Sequence, residues 1–201
     1  MDLRTLSRAY DRSAATYDER FRELQRPKYR VAAKLLESVP DAAGMLARDA
    51  AILDAGAGSG LFAEWLADEA ESSPAVRSLL RAQASRGRLL ALDASVEMVR
   101  LARMRGVHAF VADLARPPLA AGSCSLVVSF TAILEQTRES MGALAALLEP
   151  GGLLCVSFLA GESPSSQQLS RWSGLTLAAA PSLAGQDLVH LLRADDQLHR
   201  Q

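Results

Sequence analysis

The sequence contains few of the residues that build metal sites and disulfide frameworks. Its 201 residues include two cysteines, Cys124 and Cys155, and three histidines scattered along the chain. Neither a Cys-x-x-Cys pair nor a Cys/His spacing typical of a metal site occurs. We therefore expect no metal, and we interpret both cysteines as reduced packing residues at or in strands.

A long hydrophobic run is also missing. The N-terminal MDLRTLSRAYD has no apolar core of signal-peptide length, and a run of about 18 apolar residues occurs nowhere in the chain. We therefore expect a cytoplasmic protein without membrane insertion. Hydrophobic residues make up 49% of the sequence and charged residues 22%, a balance typical of one soluble globular domain.

Charge is balanced over the whole chain but not along it. The formal net charge is −1, which does not indicate a field that attracts nucleic acid. Residues 1–34 nevertheless hold nine Lys or Arg against five acids, whereas the remainder holds 13 against 18. A solvated basic helix face explains this excess, and a surface that meets an anionic partner is the alternative.

One stretch of the chain combines a strand, a glycine turn and a helix. Residues 52–60, ILDAGAGSG, predict a buried strand that leads to Asp54 and a loop with glycines at 56, 58 and 60. The apolar periodicity of residues 61–67 then indicates a helix. Such a loop lets a ligand lie against bare backbone, and the helix start behind it offers unpaired N–H groups.

Further strands are predicted to alternate with helices. Four apolar runs have the length of buried strands: residues 89–93, 107–113, 125–130 and 153–159. Helices are predicted after the N-cap Ser95 and over 135–148, and this alternation favours a parallel sheet with helices on both faces. The tail adds strands from Leu175 and Leu188, which a loop at 181–186 joins into an antiparallel hairpin.

The N-terminal segment is predicted to be helical and polar. It carries two Tyr-Asp pairs, at residues 10–11 and 17–18, and Pro27 is predicted to interrupt it. A second helix should then start at Pro27 and end near Ser38. Residues 68–88 form a polar insert with a short helical piece, for which the sequence indicates no chemistry.

Acidic residues lie at the ends of three predicted strands, namely Asp54, Asp93 and Asp113. Ligands of open α/β sheets bind beyond the carboxyl ends of the strands, where the strand order reverses. The glycine spacing does not fit the dinucleotide fingerprint GxGxxG, because the third small residue comes one place early, at Gly60. A phosphate P-loop is not present either, since no GKS or GKT follows.

Taken together, the motifs resemble those of class I S-adenosylmethionine-dependent methyltransferases. ILDAGAGSG is similar to the first motif of that family, LLALDASVEMV to the second and VADL to the third. LLEPGGLLCVSF is similar to the helix end, turn and fifth strand that follow the substrate-side loop. The resemblance covers residues 51–160 and implies a Rossmann-like three-layer α/β sandwich, whose seven-stranded, mostly parallel sheet has an antiparallel last strand.

A single domain over residues 1–201 follows from the resemblance. Residues 1–40 would form a helical lid, 51–160 the cofactor-binding core and 161–201 the C-terminal strand pair. The implied cofactor is S-adenosyl-L-methionine, with S-adenosyl-L-homocysteine as its product.

The resemblance also assigns residues to the cofactor. They are Asp54, Gly56, Ala57, Gly58, Gly60, Asp93, Ala94, Met98, Asp113, Leu114, Phe130 and Tyr17. Asp93 would accept hydrogen bonds from the ribose hydroxyls, and Met98 and Asp113 would meet the adenine. Phe130 would flank the sulfonium, and Tyr17 would cover the cofactor. No residue stands out as a general base, so no catalytic residue is assigned.

Several of these residues have a second interpretation. Asp54 could instead tie down the N–H groups of its own loop, and Met98 could be part of a helix core. Phe130 could be sheet core rather than site. A surface helix would explain Tyr10 and Tyr17 nearly as well as a lid.

The implied activity is methyl transfer to an O, N or C nucleophile of a small-molecule acceptor. A second hypothesis is an RNA or protein methyltransferase that uses the basic N-terminal segment, and a third is a non-catalytic binding or partner subunit. After SLVVSF the chain reads TAILEQ rather than Asn/Asp-Pro-Pro-Tyr/Phe, which disfavours planar amino nitrogens as acceptors. Neither cysteine follows a proline at that strand end, which disfavours a cytosine C5 mechanism.

Overall fold

A single mixed sheet is the framework of the described residues, which in the computed structural model are 3–68, 70, 75–133 and 137–195. Its strands are β1 (Ala51–Ala55), β2 (Leu89–Asp93), β3 (His108–Val111), β4 (Cys124–Phe130), β5 (Leu148–Leu159), β6 (Thr176–Ala184) and β7 (Asp187–Arg193). The helices are α1 (Leu3–Ser38), α2 (Ala42–Leu46), α3 (Leu61–Ala67), α4 (Ala75–Ser85), α5 (Val96–Met104), α6 (Thr137–Ala146) and α7 (Ser166–Ser173).

The topology of the sheet confirms the predicted fold class. The strands lie in the order β3-β2-β1-β4-β5-β7-β6, and β7 runs antiparallel to both of its neighbours. The pairs β1–β2, β1–β4, β2–β3 and β4–β5 are parallel. The strand order reverses between β1 and β4, and this reversal opens a crevice at the carboxyl ends of the parallel strands.

Helices cover both faces of the sheet because its central strands are apolar on both sides. Every residue of β4 is buried. Leu126 and Val128 pack into the cluster that contains Leu36 and Trp65, whereas the intervening Val127 packs with Met141 on the other face. Of the helices in the described ranges, none is both long and apolar enough to cross a membrane.

The prediction that Pro27 separates two helices is wrong. α1 continues through Pro27 as one helix of 36 residues. A proline inside a helix removes one backbone hydrogen bond and costs about 3 kcal/mol. Around and beyond Pro27, however, α1 buries Tyr29, Ala33 and Leu36 against the sheet and its neighbours, and this packing offsets the local cost.

The C-terminal hairpin is tighter than predicted. β6 extends to Ala184, so the turn is Gly185–Gln186 rather than a loop over 181–186. Pro181 therefore lies inside a strand, which is tolerated because β6 is at the edge of the sheet. The β6–β7 register shifts between Ala179 and Ser182, on either side of that proline.

The start of β5 differs from the sequence prediction, and α6 ends at Ala146 rather than at 148. β5 begins at Leu148 and takes in the Pro-Gly-Gly turn, where its register with β4 shifts. α6 begins at Thr137, and the start predicted for it at 135 lies outside the described residues. α7 begins with a capping box between Ser165 and Gln168.

The polar insert has a structural role that the sequence did not reveal. Arg77 of α4 is buried, and its guanidinium donates hydrogen bonds to the carbonyls of Trp65 (2.6 Å) and Leu66 (3.2 Å) at the end of α3. The side chain of Gln83 donates to the carbonyl of Leu46 at 2.6 Å. α4 thus satisfies the unpaired carbonyls at the ends of α3 and α2.

We expect Pro27→Ala to stabilise the protein. Alanine restores the missing N–H and removes the ring, so the free energy of unfolding should rise by roughly 1–3 kcal/mol. Thermal denaturation would report this as a higher melting temperature. Pro118→Ala, in an exposed loop, is the matched control and should lower stability slightly because it frees the unfolded chain. A lower melting temperature for Pro27→Ala would show that α1 depends on its proline.

Candidate functional site

A cavity of about 510 Å³ lies at the carboxyl ends of the strands, where the strand order reverses. Residues that follow β1, β2 and β3 line one half of it, and residues at the ends of β4 and β5 and the start of β7 line the other. α1 lies over both halves and contributes Tyr10, Tyr17, Phe21 and Lys28 to the lining. The glycine loop, Asp93, Asp113 and the N-terminal helix therefore share one cavity, and Asp54 lines a smaller cavity beside it.

The glycine loop is held by β2 rather than by Asp54. The N–H groups of Gly56 and Ala57 both donate to the carbonyl of Leu92, at 2.8 and 3.0 Å. The N–H of Gly58 donates to Oδ2 of Asp93 at 2.9 Å. Because these N–H groups bond to β2, the alternative role of Asp54 as the anchor of the loop has no support.

At two glycines of this loop, neighbouring side chains lie so close to the backbone that a Cβ would contact them. Gly56 has φ +78°, and a Cβ there would lie 2.2 Å from the Cβ of Ala132 in the loop after β4. Gly58 has φ +54°, and a Cβ there would lie 3.3 Å from the hydroxyl of Tyr17. Both positions therefore require glycine for backbone conformation and for space.

Asp93 presents its carboxylate to the cavity while holding the loop. Oδ2 accepts from Gly58, and Oδ1 accepts from the N–H of Ser95 at 2.9 Å. Burial raises the pKa of Asp93, and the hydrogen bonds from Ser95 and Gly58 oppose that rise. A carboxylate has about four lone-pair sites, so Asp93 can still accept a hydrogen bond from a ligand.

Asp54 is buried, and only 4% of its surface is exposed. Burial, and then the nearby charge of Asp93, raises the pKa of Asp54 to about 8. A small cavity of about 20 Å³ lies beside it and is also lined by Ala57 and Gln25. At neutral pH this carboxyl is therefore mostly protonated, and a cation bound nearby would favour its ionised form.

Asp113 lies at the far side of the cavity from the hairpin. Its Oδ1 accepts from the N–H of Ala115 at 2.9 Å, and its other oxygen is available to a ligand. Leu114 and Ala94 line the same side. The apolar side chains of this wall can pack against the face of a flat ring, and the carboxylate of Asp113 can accept a hydrogen bond from a polar group at the edge of that ring.

Two of the residues predicted to contact the cofactor do not line either cavity. Met98 is fully buried in α5, where its backbone N–H donates to the side chain of the N-cap Ser95. In this part of the chain, Ala94 lines the cavity and Met98 does not. A Cβ on Gly60 would lie 3.3 Å from Ala102, so this glycine serves the packing of α3 against α5. The other ten predicted residues line one or both of these cavities.

The two Tyr-Asp pairs have a common geometric explanation. Tyr10 and Tyr17 are seven residues apart, so they lie on one face of α1, with ring centroids 6.2 Å apart above the cavity. Asp11 accepts hydrogen bonds from Ser95 Oγ (2.6 Å) and from the N–H of Glu97 (3.2 Å). Asp18 accepts from Ser59 Oγ in the glycine loop and from Arg105.

Phe130 is both core and site. Only 7% of its surface is exposed, and its ring lies 5.0 Å from that of Tyr29 and 5.7 Å from that of Phe62, between centroids. It also lines both cavities, between the two halves of the larger one. The two interpretations left open by the sequence are therefore compatible.

Sequence reasoning missed a buried polar cluster in the second half of the cavity. Lys28 Nζ lies 2.9 Å from Asp187 Oδ2 and donates to Thr131 Oγ1 at 2.6 Å. Thr131 Oγ1 in turn donates to Asp187 Oδ1 at 2.7 Å, and its backbone has φ +54°. Asp187 begins an antiparallel strand, and a strand start gives no signal of a site in a parallel sheet.

Comparison with known proteins places this geometry in a family. Residues 52–152, half of the chain, match the methyltransferase domain family. The chain belongs to the class I S-adenosylmethionine-dependent methyltransferases. No curated protein sequence matches the chain.

Solved structures with the same fold share little sequence with this methyltransferase. A Haloferax volcanii methyltransferase in complex with the Trm112 methyltransferase activator has 18% identity and a TM-score of 0.64, covering 92% of this chain and 97% of that chain. A Thermotoga maritima enzyme described as a possible histamine N-methyltransferase has 17% identity and a TM-score of 0.63, covering 93% and 98%. Geranyl diphosphate C-methyltransferase from Streptomyces coelicolor A3(2) has 12% identity and a TM-score of 0.51, covering 74% of each chain.

We expect Gly58→Val to abolish S-adenosylhomocysteine binding and to leave the fold largely intact. The new side chain would strain a backbone with φ +54° and press on Tyr17, in the space that faces the cavity. Calorimetric titration should show affinity reduced at least about 100-fold, while circular dichroism stays unchanged. Gly44→Val is the control, because a Cβ there meets nothing within 4 Å. Normal binding by Gly58→Val would refute the assignment of the loop.

The raised pKa of Asp54 predicts how stability varies with pH in the ligand-free methyltransferase. The folded state holds this proton up to about pH 8, whereas the unfolded chain releases it near pH 3.8. The contribution of Asp54 to the free energy of unfolding is therefore fully present below about pH 4 and is lost as pH rises through 8. Urea unfolding at pH 5, 7 and 9 should show Asp54→Asn gaining stability over the parent by an amount that grows with pH.

The control for this measurement is Asp49→Asn, whose side chain is 97% exposed. Its difference from the parent should stay nearly constant over the same pH range, because this side chain lies at the surface. A constant difference for Asp54→Asn as well would mean that Asp54 is ionised in the folded protein at neutral pH.

Proposed function

We propose that this methyltransferase transfers the methyl group of S-adenosylmethionine to an O, N or C nucleophile of a small-molecule acceptor. The single cavity that runs from Asp93 to Asp187 beneath α1 carries this proposal. Its volume of about 510 Å³ falls within the range of small-molecule sites, roughly 300–1,000 Å³. A macromolecular acceptor would have to reach the methyl group past the helix that covers the cavity.

The half of the cavity formed by β1, β2 and β3 fits the cofactor. Asp93 would bind the ribose hydroxyls with the lone pairs left free by Gly58 and Ser95. Asp113 and Leu114 would hold the adenine edge, since both line the wall next to Ala94. The bare backbone at Gly58 leaves the space that a methionine chain needs.

Charge also supports a cationic ligand next to β1. Asp54, Asp93 and Asp113 contribute carboxyl groups to this half, and Asp54 is neutral in the free protein because of its burial. A ligand that brings a sulfonium and an ammonium would compensate these carboxylates. The methyl group of that sulfonium is already activated toward nucleophiles.

The chain's own residues would then align the reactants and exclude water. Tyr17 and Phe130 line both cavities from opposite sides, one on α1 and the other at the end of β4. Enclosure between these rings holds a nucleophile in position and keeps solvent away from it. A nucleophile that needs no deprotonation would require no further group for the transfer.

Part of the basic N-terminal segment stabilises the fold itself. Three of its cations are engaged within the fold: Arg22 with Glu64, Arg26 with Asp68 and Lys28 with Asp187. These three cations fasten α1 to the rest of the molecule, whereas Arg12, Arg20, Arg30 and Lys34 of the same segment are exposed. The small molecules named for the Thermotoga and Streptomyces enzymes are consistent with a small-molecule acceptor.

Thermal shift with S-adenosylhomocysteine tests the proposed cofactor site. At 100 times its Kd the ligand should stabilise the protein by about 2.7 kcal/mol, a rise of roughly 5–10 °C in melting temperature. Asp93→Asn should reduce the affinity at least about tenfold, and Asp49→Asn should not change it. The absence of any shift at saturation would refute the proposal.

A further inference from the structure

We propose that the second half of the cavity is a subsite for a neutral, amphipathic acceptor whose N–H or O–H group donates a hydrogen bond to the side-chain carbonyl of Gln25. This inference rests on the proposed function, because it assumes that the cofactor occupies the first half. Gln25, Lys28, Thr131 and Asp187 form the polar part of this subsite.

The position of the subsite follows from the sheet. The cofactor half faces the ends of β1, β2 and β3, and the remaining lining belongs to β4, β5 and the turn before β7. Neighbouring strands lie about 4.8 Å apart, so the ends of these three strands span on the order of 10 Å beyond the glycine loop. That width accommodates an acceptor of roughly the size of one substituted ring.

Gln25 has a buried polar atom that the protein itself does not satisfy. Only 8% of its surface is exposed, and its Oε1 has no hydrogen-bond partner among the described residues. It lines both the large cavity and the small one beside Asp54. Buried polar atoms are nearly always paired, so an orphan at a cavity wall points to a group that the ligand supplies.

The neighbouring ion pair decides which charge the acceptor can carry. Lys28 and Asp187 are 7% and 5% exposed at their side chains, and each compensates the charge of the other at 2.9 Å. Thr131 accepts from Lys28 and donates to Asp187, which closes the network. An anion placed here would face Asp187 and the lone pairs of Gln25 without an uncompensated cation, so a neutral group fits better.

The rim of the subsite is apolar. Leu24 of α1 and Leu159 at the end of β5 are 60% and 41% exposed, although both line the cavity. Phe21 and Ile133 extend this surface inward. An acceptor with an apolar body would cover these side chains while its polar group reaches Gln25.

Benzamide and benzoate test this chemistry as isosteric probes. Both carry the same ring, but benzamide is neutral and donates N–H, whereas benzoate is anionic and has no donor. With the methyltransferase saturated with S-adenosylhomocysteine, ligand-observed NMR should show benzamide binding at least about fivefold more tightly than benzoate. Equal affinity, or tighter binding of benzoate, would overturn the proposal.

The variant Gln25→Leu tests whether Gln25 is responsible for the preference for benzamide over benzoate. Leucine keeps the approximate size of the side chain and removes the orphan atom, so the melting temperature should stay level or rise. The variant should lose the preference for benzamide and keep the parent affinity for S-adenosylhomocysteine. Gln167→Leu, on the exposed side of α7, makes the same chemical change away from the cavity and should retain the preference.

The outcomes separate this inference from the proposed function. If S-adenosylhomocysteine does not bind the parent protein, the proposed function itself fails. If it binds but Gln25→Leu weakens it about tenfold or more, Gln25 belongs to the cofactor site and the acceptor subsite is wrong. If Gln25→Leu still prefers benzamide, the discrimination arises elsewhere and the inference is likewise overturned.

Discussion

The attachment of α1 across the carboxyl ends of the sheet is the constraint on which the site depends. Asp11 and Asp18 fasten its first half to the N-terminus of α5 and to the glycine loop. Lys28 fastens its second half to Asp187 at the start of β7. Removing one partner of a buried pair such as Lys28–Asp187 typically costs about 3–5 kcal/mol, so this contact fixes the second half of the helix. Without α1 the cavity would be an open crevice.

This attachment gives one helix two functions. The tyrosines of α1 lie over the half proposed for the cofactor, and Gln25 lies over the half proposed for the acceptor. The same ion pairs and hydrogen bonds orient both parts of the helix. Asp18 of α1 also accepts a hydrogen bond from Ser59, so the helix and the glycine loop are joined directly.

Electrostatics divides the cavity into two chemically different halves. Three carboxyl groups, Asp54, Asp93 and Asp113, lie on the side proposed for the cofactor, where a cationic ligand would relieve their repulsion and desolvation. The side proposed for the acceptor contains the Lys28–Asp187 pair, which is neutral as a unit. A cation would therefore be favoured at one end and a neutral molecule at the other.

The sequence alone determined the sheet, its parallel core and most of the residues that line the first half of the cavity, because these depend on local signals. Apolar runs predict buried strands, and glycines and acids at strand ends mark the loop from Gly56 to Asp93. Only the tertiary structure decided the continuity of α1 through Pro27, the packing of Met98 and Gly60, and the cluster of Lys28, Thr131 and Asp187. These features depend on contacts between residues up to 159 positions apart in sequence, which no local pattern encodes.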